Sequence, residues 1–252
     1  MQIYPLSEGS FTIDQTKVFV PFNSVNEQLL DRPKGSLLVE IQPFVVVTNH
    51  DIILLDTGLG YFNNTGLLQI HDNLMRIGID PSSVTKVFMS HLHKDHAGGI
   101  SYIHPLHKER FISFPYAKYY IQKKEFELAM NGTSSSYLAE QVQILEDFSG
   151  VVWLEEEEGI IDHLIHYKIT AGHSKYHQVA WIKENNKILF FGGDEAPQLQ
   201  QMKSKFVAKY DLDGKRAMEW RQQWWQEGLI ENWTFAFYHD IQYPTYHQQS
   251  SS

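Results

Sequence analysis

The chain has 252 residues, 42% of them hydrophobic and 13% aromatic, which is enough apolar material for a sizeable core and too much for an intrinsically disordered protein. Its 21 lysines and arginines face 30 aspartates and glutamates, a formal charge of −9 and the wrong sign for a phosphate backbone, so nucleic acid is not an expected partner. Cysteine is absent, which excludes disulfides, thiolate ligands and cysteine nucleophiles and leaves any metal to nitrogen and oxygen donors.

Glu8, Asp14 and Lys17 interrupt the apolar stretch that a secretory signal would need near the N-terminus, and the expectation is a cytoplasmic protein. Residues 21–30 read as a candidate lid or wall of a substrate pocket. The apolar runs 36–48 and 51–56, parted by Asn49 and His50, predict neighbouring strands joined by a tight turn, the second ending in the loop Asp56-Thr57-Gly58-Leu59-Gly60. Both are far shorter than the ~20 residues that cross a bilayer, so no membrane partner is expected. A helix is predicted around Leu67 to Ile79, punctuated by Pro81, and then a short strand at 86–90.

Strands are predicted at 111–114 and 119–122, a helix at 123–130 and a polar surface loop at 131–136. Later strands fall at 151–154, 165–170, 179–183 and 187–192, with the acidic run Glu155 to Glu158 read as a solvated turn. A helix near 213–228 carries Trp220, Trp224 and Trp225 at i, i+4 and i+5, a spacing that packs one face on a core. The last strand is 234–239, and His247 to Ser252 is expected to fray. The whole chain, 1–252, reads as a single domain.

Chemistry concentrates in Ser90-His91-Leu92-His93-Lys94-Asp95-His96-Ala97-Gly98-Gly99, directly after a predicted strand. His91 and His93, at i and i+2, share one side of an extended segment, while Asp95 and His96 point elsewhere as the chain turns. Such a segment can feed two adjacent metals, with the small residues 97–99 expected to leave room for backbone turning close to the ions. With 13 histidines and 13 aspartates in the chain, an H-x-H-x-D-H string arises by chance in only about two such sequences per thousand. Three further candidates lie at or just after the ends of predicted strands: His173 in Thr170-Ala171-Gly172-His173, Asp194 after Gly192-Gly193, and His239 at the end of TFAFYH.

From Asp56 to His239, this order of motifs resembles the metallo-β-lactamase superfamily. The resemblance implies an α/β fold of the αββα type, a four-layer sandwich with the metals at one edge of its two mixed sheets. It implies that His91, His93 and His173 hold one ion, that Asp95, His96 and His239 hold a second, and that Asp194 bridges them. Asp56 resembles the aspartate that sits behind the ligands and orients them. The segments H-L-H-K-D-H-A-G-G and Gly172-His173-Ser174-Lys175-Tyr176-His177-Gln178 are most similar to the N-acyl-homoserine lactone lactonases. Those enzymes carry a tyrosine three residues after the bridging aspartate; this chain has Pro197, which has no donor to offer a substrate.

The implied activity is hydrolysis of a lactone or other carboxylic ester in a small molecule. Two divalent ions would generate a bridging hydroxide as nucleophile, and Asp95, also a catalytic residue, would carry the proton to the leaving oxygen. Zinc is the first choice of cofactor for this donor set, with manganese, iron and cobalt also compatible. A phosphodiester or phosphotriester hydrolase on the same centre, and an iron-dependent oxygenase, are the alternatives.

Overall fold

The computed structural model describes residues 1–23, 25–104, 106–132 and 134–248. In chain order its strands are β1 (Gln2–Pro5), β2 (Gly9–Ile13), β3 (Val20–Pro21), β4 (Leu37–Ile41), β5 (Phe44–Val47), β6 (Ile52–Leu55), β7 (Lys86–Phe88), β8 (Ser101–Ile103) and β9 (Arg110–Ile112). They continue as β10 (Lys118–Gln122), β11 (Val151–Leu154), β12 (Glu158–Ile161), β13 (Ile165–Ile169), β14 (Gln178–Glu184), β15 (Lys187–Phe191), β16 (Thr234–Ala236) and β17 (Thr245–His247). The α-helices are α1 (Gln69–Arg76), α2 (Lys94–Ala97), α3 (Lys123–Met130), α4 (Ala139–Val142), α5 (Leu199–Met202) and α6 (Gly214–Ile230).

The strands assemble into two six-stranded mixed sheets, ordered β1-β5-β6-β7-β10-β11 and β12-β13-β14-β15-β16-β17, beside a small β3-β2-β4 sheet and a β8-β9 hairpin. Alternation along each strand sends successive side chains to opposite faces. Phe44, Val46, Ile53, Leu55, Phe88 and Tyr120 therefore point inwards, against Ile165, Ala180, Ile182, Leu189 and Phe191 of the second sheet. Their neighbours Val45, Leu54, Val87 and Tyr119 face outwards and meet Ile70 and Leu74 of α1 and Phe126 and Ala129 of α3. On the far side, Val179, Phe190 and Phe235 pack against Trp224 of α6 and Met202 of α5. The layers thus run helix, sheet, sheet, helix, which is the αββα sandwich. Among the described residues, no helix is long and apolar enough to cross a membrane.

The 36–48 run is two strands, not one. Pro43 has no N–H for a ladder, and the chain breaks at Gln42-Pro43, so β4 pairs with β2 in the small sheet while β5 joins the first large sheet. The strand expected at 234–239 stops at Ala236. Beyond it, Phe237 donates to Pro244 O and His239 to Pro197 O, which swings the imidazole off the sheet. The strand expected at 111–114 is instead β9, paired only with β8. Glu155 to Glu157 form an exposed bend and Glu158 starts β12. His247 belongs to β17, opposite Thr234; residues 249–252 lie outside the described chain.

Pro21, Phe22, Asn23 and Glu27 line a cleft of about 790 Å³ together with Glu8, Phe11, Tyr61 and Phe62. They form a wall of that cleft, whose lining contains none of the candidate ligands. Ser24, within the 21–30 segment, lies outside the described residues, as does Thr133 in the 131–136 loop. The rest of that loop is exposed up to Ser135, as expected, and Ser136 O accepts the Lys94 N–H at 2.8 Å, beside the histidine cluster.

Candidate metal centre

The seven candidate ligands meet at the edge where the two large sheets end together. His91 and His93 follow β7, Asp95 and His96 lie in α2, His173 follows β13, Asp194 follows β15 and His239 follows β16. They fall into two groups whose donor atoms each lie within 4.8 Å of one another: His91, His93, His173 and Asp194 in one, Asp95, His96 and His239 in the other.

Asp194 stands between the groups and divides its oxygens between them. Its Oδ2 is 3.2 Å from His173 Nε2 and 3.9 Å from His91 Nε2, while Oδ1 is 3.0 Å from His96 Nε2 and 2.9 Å from His239 Nε2. Asp95 Oδ2 approaches the second group from the other side, 3.7 Å from His96 Nε2 and 3.5 Å from His239 Nε2. Close as they are, His91 Nε2, His96 Nε2 and Asp194 Oδ1 are sealed from solvent and make no hydrogen bond. Buried polar atoms without partners are costly, and a divalent cation placed among imidazole nitrogens and carboxylate oxygens would satisfy all three. The donor set therefore fits a metal.

The other ring nitrogens are tied down, which fixes what each imidazole presents. Asp56 sits at a left-handed turn (φ 57°) after β6, where its Oδ1 accepts the Ser90 N–H and its Oδ2 accepts both the Ser90 hydroxyl and His96 Nδ1–H, the last at 2.7 Å. Because the Ser90 hydroxyl donates to Asp56, its oxygen is left to accept His91 Nδ1–H at 3.0 Å. His239 Nδ1–H donates to Glu40 O at 2.7 Å. Each of these rings thus turns a free Nε2 towards Asp194. Tyr238 stacks on His96 at 4.0 Å and donates its hydroxyl to Asp95 O.

His177 is fully buried: its Nε2 accepts the Asp194 N–H at 3.1 Å, so it holds Asp194 from behind. A Cβ on Gly98 would collide with the Leu59 backbone and one on Gly99 with that of Thr57, so both are small to let the Thr57-Gly60 loop close on the end of α2. Asp211 and Arg221 carry no sequence signal, and only the fold brings them to the centre. Ser90 before His91, Glu195 after Asp194 and Tyr238 before His239 adjoin candidate ligands, and that adjacency is the signal that could have flagged them.

Electrostatically the centre is a mixture of opposing pulls. Burial, reinforced by neighbouring imidazoles, holds His91 and His93 well below the ordinary histidine range. For His96, His173 and His239 burial is again the largest single influence, but the nearby carboxylates, Asp194 foremost, together outweigh it and raise all three. Asp194 itself is kept well below the usual carboxylate range, against its burial, by His239, His96 and His173. Protons and a cation compete for these nitrogens, so metal affinity falls as pH drops.

Glu8 supports the loop next to Asp56. Its Oε2 accepts the Leu59 N–H at 2.7 Å while Oε1 is sealed off without a donor, although the residue as a whole is only half-buried. Burial pushes this carboxyl up to about 8. As pH rises from the unfolded value towards 8, the unfolded chain releases this proton and the folded one keeps it, so stability is lost across that window. Glu8→Gln keeps an acceptor for Leu59 and removes the ionisation. Thermal melts should find the variant several degrees more stable than the parent at about pH 9 and nearly equal to it at about pH 5; equal differences at both would show that Glu8 is not held protonated.

Comparison with known proteins agrees with this architecture. The metallo-beta-lactamase superfamily model matches residues 40–224. Among solved structures, a probable metal-dependent hydrolase from Staphylococcus aureus superposes with a TM-score of 0.75 at 17% identity, covering 98% of this chain and 91% of its own. AidC, a dizinc quorum-quenching lactonase, gives 0.71 at 19% identity with 99% and 91% covered. The hydrolase AbOPH, in the beta lactamase superfamily, gives 0.67 at 24% identity with 100% and 91% covered. No curated protein sequence matches significantly. At these identities the superpositions speak for the fold alone. Taken with the family match over most of the chain, the four layers and the two His/Asp groups at the sheet edge, they show that the chain belongs to the metallo-β-lactamase superfamily.

Proposed function

We propose that the protein is a dinuclear metal-dependent hydrolase acting on a lactone or other carboxylic ester of a small molecule. The observation that carries this reading is the division of the Asp194 oxygens between two separate ligand groups. His91, His93 and His173 would hold one ion, Asp95, His96 and His239 the other, and zinc suits their nitrogen and oxygen donors. Two such ions, when bound, would supply an activated water at neutral pH and polarise the oxygen of a scissile carbonyl.

The chain's own residues do the rest. Asp56, Ser90 and the Glu40 carbonyl hold the imidazoles in the tautomer that leaves Nε2 free. Asp95, whose backbone is fixed by Tyr238, offers a carboxylate at the rim to carry a proton to the leaving oxygen. Pro197 has no side-chain donor; its carbonyl anchors His239 instead, so contacts to the substrate must come from other segments. The shared fold of AidC, a dizinc lactonase, supports the ester reading.

The test is metal analysis of protein purified without chelators, followed by a panel of lactones, aryl esters, phosphodiesters and phosphotriesters. Close to two zinc ions per chain with turnover confined to lactones and esters is the expected result. Turnover of phosphoesters alone would replace the substrate class, and a single iron with oxygen consumption would overturn the hydrolytic reading.

A further inference from the structure

His173 is anchored from a part of the chain that contributes no ligand. Its Nδ1 lies 3.0 Å from Asp211 Oδ1, and the Asp211 side chain is wholly buried. The segment bearing Asp211 is clamped to His173 by its backbone: Leu212 N–H donates to His173 O at 3.1 Å and Asp213 N–H to Gly172 O at 2.7 Å. Behind it stands Arg221 of α6, with no exposed side-chain surface. Its guanidinium donates to Glu195 O at 2.8 Å and to Phe206 O at 2.7 Å and stands 4.0 Å from Asp211 Oδ2. Glu195 completes the assembly by accepting the His173 N–H at 2.8 Å on its Oε2.

A buried carboxylate is stable only when its charge is compensated. Asp211 makes one hydrogen bond, to His173, and its Oδ2 accepts none. Arg221 is therefore its compensating charge, and the His173 imidazole is the one group it grips. The second ligand group is built differently: His96 is held by Asp56 and His239 by the Glu40 carbonyl, neither of which touches Asp211 or Arg221.

We infer that Asp211, charge-balanced by Arg221, is the positioning residue for the His91–His93–His173 ion and sets its affinity separately from that of the other ion. Asp211 keeps the proton on His173 Nδ1 and so aims the Nε2 lone pair at the group, where it lies 3.2 Å from His93 Nδ1. A carboxylate in this position raises the basicity of the ligand it holds. The inference rests on the two-ion reading given above.

Stepwise zinc binding to the full chain, by competition with a chromophoric chelator, tests it. Asp211→Asn should weaken one of the two steps by about 10–100-fold and leave the other nearly unchanged. Cobalt absorption should change in the Asp211→Asn protein at one equivalent only. Equal loosening of both steps, or none, overturns the inference. If the parent protein itself takes up a single ion, the two-ion reading fails, and Asp211 stands or falls on whether its substitution loosens that ion. Should Asp211→Asn fold poorly, nitrogen NMR of the zinc-loaded parent decides: His173 protonated at Nδ1 supports the assignment and protonation at Nε2 overturns it.

Discussion

Asp194→Asn is expected to lower turnover by about 10³-fold or more and to leave at most one ion per chain. An amide has one acceptor oxygen and one NH2 group, so whichever way it turns, one ligand group meets two donor hydrogens in place of a lone pair. The Oδ2 side would face His173 and His91, the Oδ1 side His96 and His239. The substitution also removes the negative charge that raises His96, His173 and His239, so the cluster loses attraction for cations as well as geometry. Metal analysis alongside kinetics separates this from misfolding, because chelated samples of variant and parent should melt within a few degrees of each other. Retention of two ions and parental turnover would remove Asp194 from the centre.

Removing the metal from the parent protein should produce the largest change in stability. An ion present at 100 times its dissociation constant stabilises the folded state by about 2.7 kcal/mol, so two contribute roughly 5 kcal/mol. For a chain of this size, each kcal/mol moves the melting temperature by about 2–4 °C, which makes the expected drop on chelation roughly 10–20 °C. The physical basis is the set of buried lone pairs on His91, His96 and Asp194, which lose their only partner with the ion. The drop should shrink as pH is lowered, because protons then occupy the same nitrogens. Calorimetry with and without chelator checks both statements; a shift of about 2 °C or less would mean that the cluster does not bind metal in the folded state.

What could be read in the sequence depended on whether the relevant residues were neighbours in it. His91, His93, Asp95 and His96 fall within six residues, so their chemistry announced itself. His173, Asp194 and His239 each follow a strand, and it was their order along the chain, through a family resemblance, that marked them. The structure brings all seven together. Asp211 and Arg221 were invisible for a physical reason: an arginine in a helix rich in Gln and Glu reads as a solvated side chain, and only tertiary packing turns Arg221 inward onto Asp211 and Glu195. In the same way β1 to β3 are short and partly exposed, with little alternation to display, and Pro43 splits a run whose hydrophobicity is continuous. Strands β5, β6 and β7 are buried on both faces, so they read as short continuous apolar runs, which made their existence legible and left their facing to the structure.

The two large sheets come from successive halves of the chain, the first from strands up to Leu154 and the second from strands after it. Four candidate ligands belong to the first half and three to the second, and neither half alone completes either group. During translation, then, the segment from His91 to His96 leaves the ribosome long before the residues that it must meet, and it waits with an open set of imidazoles. Metal acquisition would then be a late event in biogenesis, since the first group is complete only once residue 194 has emerged and the second only once residue 239 has, and a nascent chain arrested before residue 194 would have no finished site with which to retain an ion.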